Sequence, residues 1–89
     1  MAYWKTMGRE EISALCAKNE AIAKAWGELA KRRDFPIIKN KVVEMHSNAH
    51  FVKNVDEVSV IFKAGSRLNK YVIETREDGT KFTLYENVA

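Results

Sequence analysis

From Arg9 to Arg33 the apolar residues Ile12, Leu15, Cys16, Ile22, Ala23, Trp26, Leu29 and Ala30 recur at steps of three and four. That period is the mark of one buried helix face. Ala14, Ala17, Ala21 and Ala25 raise helix propensity around it. Thr6 or Gly8 is placed to cap the start, and Glu10 and Glu11 suit the positive end of the helix dipole. Lys31, Arg32 and Arg33 suit the negative end, and Pro36 disfavours a helical Phe35. The expectation is one continuous helix over the whole stretch. Asn19 falls on the stripe, where it reads as a polar edge residue bonded to nearby backbone or water. The sharper alternative is an asparagine that sets register in a helix–helix interface.

Beyond Glu57 in chain order the period changes to two. Residues 58–64, 68–76 and 80–86 are rich in β-branched and aromatic side chains and are separated by glycine-containing turns. Asp78-Gly79 predicts a two-residue type I′ hairpin, with Glu77 opposite Thr80 and Tyr71 opposite Glu86. One face then carries Tyr71, Ile73, Phe82 and Leu84, which is the core side. Pairing Ala64 with Asn69 across a four-residue loop adds Val58, Val60 and Phe62 to that face, whereas a three-residue loop would turn them to the charged one. Between these regions, Ile38, Val42 and Met45 would suit a short helix, but Pro36 and the β-branched residues favour a strand from Ile37 to Met45, then a polar turn over residues 46–50 and a further short strand over residues 51–55. Residues 2–6 are placed to add an edge strand. The expected fold is α+β, one domain over residues 1–89, with one long N-terminal helix packed on an antiparallel β-meander of three to five strands.

Lengths sharpen this expectation. A helix from Arg9 to Arg33 is about 37 Å long, while a seven-residue strand spans about 23 Å. The helix would overhang its sheet by about two turns, calling for cover from residues 37–55, from a partner, or from a second copy in a homodimer through the helix.

Composition narrows function by exclusion. An apolar share of 46% with 30% charged residues is ordinary for a folded domain and argues against disorder. Apolar runs such as Val60-Ile61-Phe62 are far too short to span a bilayer, and the N-terminus lacks an apolar segment of signal-peptide length. The single cysteine, Cys16, lies on the stripe as a small core residue and fits a reducing compartment, so a cytoplasmic location is expected.

No pattern assembles a catalytic centre. His46 and His50 have the spacing of helical metal ligands but lack a compelling third ligand, and the sequence between them reads as a turn. Glu10-Glu11 and Asp56-Glu57 are adjacent pairs whose side chains diverge on a helix or strand. There is no glycine-rich phosphate loop and no nucleophile elbow. The expectation is a non-enzyme without cofactor or metal.

The net charge of +3 is mild, but its distribution is uneven. Residues 31–53 carry six cations against two carboxylates, and residues 74–86 carry four carboxylates against two cations. Lys31, Arg32, Arg33, Lys39 and Lys41, with Arg67 and Lys70 behind them, form a candidate surface for nucleic acid or an acidic partner. Tyr3, Trp4, Asn19 and Trp26 are the candidates for a protein interface, since Trp, Tyr and Arg dominate hot spots. Size, layout and the missing catalytic apparatus suit a small protein-binding regulatory or inhibitory module. Accessory proteins that phages and mobile elements direct at host machinery are of this type, an analogy with no motif behind it. The alternative is a small nucleic-acid binder using the basic cluster at the helix C-terminus.

Overall fold

The computed structural model of the chain describes residues 4–50 and 55–88. Its elements, in order, are α1 (Arg9–Lys18), α2 (Glu20–Leu29), α3 (Phe35–Ile38), β1 (Val42–His50), β2 (Val55–Ala64), β3 (Arg67–Arg76) and β4 (Gly79–Tyr85). The strands form one antiparallel sheet in the order β1-β2-β3-β4. The fold is α+β, but the single long helix expected over residues 9–33 does not exist.

Asn19 is the reason. Its backbone is extended, at φ −133° and ψ 107°, and it ends α1 and caps α2 at one residue. Its side-chain oxygen accepts from the Ile22 N–H at 3.2 Å, satisfying one of the free donors of the second helix. Its side-chain nitrogen donates to Ser47 Oγ on β1 at 2.7 Å. The reading of Asn19 as a polar residue bonded to nearby backbone holds in the bond to Ile22; beyond it, Asn19 breaks the helix and ties the break to the sheet, in place of setting register between helices. Each ten-residue helix is about 15 Å long, so the expected overhang never arises. Gly8 is the cap residue of α1, and the Glu11 carboxylate accepts from its N–H at 3.3 Å.

The second helix stops at Leu29, before the basic run begins. Turns through residues 30–34 lead into α3, where Pro36 occupies the second position of the helix. An N–H there would have no intrahelical partner, so proline is tolerated rather than terminating. The strand expected from Ile37 therefore begins only at Val42, and the expected turn over residues 46–50 is part of β1. The short strand proposed for residues 51–55 lies mostly outside the described residues, as do Ala2 and Tyr3 of the proposed edge strand. Thr6 and Met7 take no strand conformation, although the Met7 N–H donates to the Val42 carbonyl at 2.6 Å.

Both hairpin turns differ from expectation. Ala64 pairs with Arg67, leaving the two-residue loop Gly65-Ser66, and Arg76 pairs with Gly79 around Glu77-Asp78. Asp78 does not take the positive φ that a type I′ turn centred on Asp78-Gly79 requires; Gly79 does, at 141°. Each pairing is displaced by two residues, which leaves every side chain on its expected face. Val60 stands opposite Tyr71, Val58 opposite Ile73, and Ile73 opposite Phe82.

That face packs on α2, whose Ile22, Ala25 and Leu29 are buried with Val42, Met45, Val58, Val60, Phe62, Tyr71 and Ile73. α2 lies over β1, β2 and β3, and α1 packs mainly on α2, sinking Ile12. A β-bulge between Val42 and Glu44 lets Val42 and Met45, three residues apart, both face the core. Phe62 stacks on Tyr71 at 5.6 Å, and Phe82 meets Tyr71 edge-on at 6.1 Å.

Asn19→Ala should cost about 1–2 kcal/mol in urea unfolding, through the lost cap and the lost bond to Ser47. Asn19→Asp should cost less, because a carboxylate still accepts from Ile22 and suits the positive end of α2. An alanine variant as stable as the parent would show that the break is not held by this side chain.

Candidate functional site

The three consecutive basic residues after α2 do three different things. Lys31 turns back to Glu28 at 3.4 Å, and Arg33 is exposed. Arg32 turns inward. Its Nε donates to Asp34 Oδ1 at 3.2 Å and its Nη2 to the Tyr71 hydroxyl at 3.3 Å. The Tyr71 hydroxyl in turn donates to Asp34 Oδ2 at 2.5 Å. The guanidinium carbon lies 4.6 Å from the centre of the Phe82 ring and 5.0 Å from that of Tyr71. Cation, carboxylate and phenol close a ring over the end of the core, and the flat guanidinium roofs two aromatic faces. Arg32 is therefore a structural clasp as well as a surface cation, its side chain still 38% exposed.

The clasp shifts its own ionisations. Partial burial pushes the Asp34 carboxyl up, but the Tyr71 bond and the Arg32 charge outweigh it and hold the group below its ordinary value. Burial first, and then the bond to and charge of Asp34, raise the Tyr71 phenol. A depressed carboxyl contributes stability that is present above the ordinary carboxylate range and lost as pH falls through its folded value. A raised phenol contributes stability present below its ordinary value of about 10 and lost as pH rises through the folded value.

The remaining basic candidates fall in two places: Lys39, Lys41 and Arg67 at one end of the sheet, where the Lys63 N–H donates to the Lys41 carbonyl at 2.9 Å and Ala64 pairs with Arg67, and Lys70 along β3. Lys39 and Lys41 are exposed in the turn between α3 and β1. Arg67 opens β3 opposite Ala64 at the β2–β3 turn. Lys70 points to the face away from the helices, paired across the strands with Ile61 and Tyr85, and its Nζ lies 5.2 Å from the Tyr85 ring centre. The protein-interface candidates also separate. Trp4 is half-buried beside Val43, Ile61 and Leu68 on the far face of the sheet, and Trp26 is half-buried on the helix side. Asn19 is occupied within the chain, and Tyr3 lies outside the described residues. The structure does not bring these groups together.

Two other features do stand out. The first is a groove of about 660 Å³ between the start of α1 and α3. Trp26 and Phe35, edge-on at 5.2 Å, line it together with Met7 and Ile12, and Arg9 and Lys39 stand over it. The second is the edge strand β4. Among the described residues the exposed large hydrophobics are Ile37, Leu84, Tyr85 and Val88, so three of the four lie on β4 or just beyond it. There the chain kinks at Asn87, with φ 57°, and returns to β3 through Val88 N–H to Leu68 O at 2.9 Å.

Burial pushes the Cys16 thiol up, away from the reactive thiolate. His46 bonds Glu44 at 2.9 Å on an exposed strand face. Positions 46 and 50 are four residues apart along that strand, about 13 Å, so the helical ligand spacing does not apply. No helix among the described residues is long and apolar enough to cross a membrane. The chain matches no family model, no curated protein and no solved structure.

Tyr71→Phe should destabilise by about 1 kcal/mol at neutral pH, at the low end for a bond to a charged group because Asp34 is partly exposed. It should also flatten both the acid and the alkaline loss of stability. Urea titrations across pH measure this, and an unchanged pH profile would mean that the ring of bonds contributes nothing to folding.

Proposed function

We propose that this chain is a small, non-enzymatic protein-binding module of regulatory or inhibitory kind, and that it engages its partner through the open edge of β4. The observation that carries this reading is the concentration of exposed apolar side chains on that edge. Leu84 is 44% and Tyr85 49% exposed, one on each face of the strand. Sheets usually guard an edge with charge, a bulge or a covering element. Here the single mid-strand cation is Lys81, and α2 lies over the other three strands. An added strand would gain main-chain bonds from β4 and apolar contact on both faces.

Leu84→Lys together with Tyr85→Lys installs the guard that the edge lacks. Both residues are exposed, so folding stability should change by no more than about 0.5 kcal/mol. Protein captured from a nuclease-treated extract by the parent chain should fall by at least about tenfold with the double variant. Equal capture by both chains would contradict the proposal. So would capture that disappears on nuclease treatment, which would favour nucleic-acid contact through Arg33, Lys39 and Lys41.

A further inference from the structure

From the groove beside α1 we infer a second binding site, independent of the β4 edge, whose ligand is an acidic peptide segment carrying one bulky apolar side chain. Its volume of about 660 Å³ is ample for an aromatic or large aliphatic side chain with its flanking backbone. Met7, Ile12, Trp26 and Phe35 supply apolar walls, and all but Ile12 are only half-buried. They pack against the core and stay open enough to accept an anchor.

Charge complementarity identifies the ligand. Arg9 and Lys39 are the charged residues that line the groove, and neither has an ion-pair partner among the described residues. The nearby carboxylate of Glu11 is turned onto the Gly8 amide at 3.3 Å. A segment with carboxylates on both sides of its anchor would satisfy both cations while burying the anchor between them. Single-stranded nucleic acid fits less well. The Trp26 ring, the one large stacking platform in the groove besides Phe35, is already engaged edge-on by Phe35 at an interplanar angle of 72°.

Selection from a random peptide display library on the immobilised protein tests this site. Enriched sequences should carry Asp or Glu on both sides of a Trp, Phe or Leu. The selected peptides should shift Trp26 emission in a Trp4→Phe background, and their affinity should weaken as salt is raised. Arg9→Glu with Lys39→Glu, both at exposed positions, should weaken binding by about tenfold or more at unchanged melting temperature. The β4 double variant should bind these peptides as the parent does, which separates this site from the edge. Enrichment without acidic bias, no enrichment above the bare support, or equal binding by the charge-reversed chain would overturn the inference. So would single-stranded DNA that shifts Trp26 emission more than any selected peptide.

Discussion

Asn19 uses both ends of one side-chain amide, and the helical layer takes its form from that. The oxygen holds the Ile22 N–H at 3.2 Å and the nitrogen holds Ser47 on β1 at 2.7 Å. The first bond starts a new helix where the old one would have continued, and the second fixes that start to the sheet. With the break in place, two short helices share the burial that one long helix would have left incomplete. Ile22, Ala25 and Leu29 of α2 reach the sheet directly, and α1 contributes Ile12 from the side. Without it, a rod of about 37 Å would have carried apolar residues past the edge of its own core.

A helical layer of this size has a limited reach across four strands. α2 lies over β1, β2 and β3, and at β4 Arg32 lies over the Phe82 ring. Asp34 and Tyr71 hold that guanidinium over Phe82, its central carbon 4.6 Å from the ring centre. Leu84, two residues further along, is left open. The structural use of Arg32 and the exposure of β4 are thus two consequences of one geometric fact. The clasp also ties the central cation of the basic run into the fold, engaged with Asp34, Tyr71 and Phe82 while its side chain stays 38% exposed.

The sheet was legible in the sequence because its evidence is periodic. Val58, Val60, Phe62, Tyr71, Ile73 and Phe82 share a face in the structure as in the pattern, even though both turns differ from expectation. A slip of two residues moves every partner and turns no side chain over. The helical region was less legible because an interrupted stripe and a continuous one have the same spacing. Asn19 followed by Glu20 is a helix-start signal, but its position on the stripe hid it. The bulge after Val42 broke the period of two where β1 begins, and Pro36 read as a stop although it sits inside a new turn of helix. Of the candidate site residues, Lys39 and Trp26 meet at one groove, joined by Arg9, Phe35 and Met7, which no pattern had grouped. Their proximity depends on the break at Asn19 and on α3, both features of tertiary structure.

The cover of the sheet, the open β4 edge and the groove at α1 and α3 all follow from the division of the helical layer. Residue-resolved backbone chemical shifts across residues 9–33 test that division directly. Helical Cα shifts should run through Arg9–Lys18 and Glu20–Leu29, with an extended-region shift at Asn19 and the helical run ending at Ala30, the cap residue of α2. An unbroken helical run from Arg9 to Arg33, with Asn19 no different from its neighbours, would contradict it.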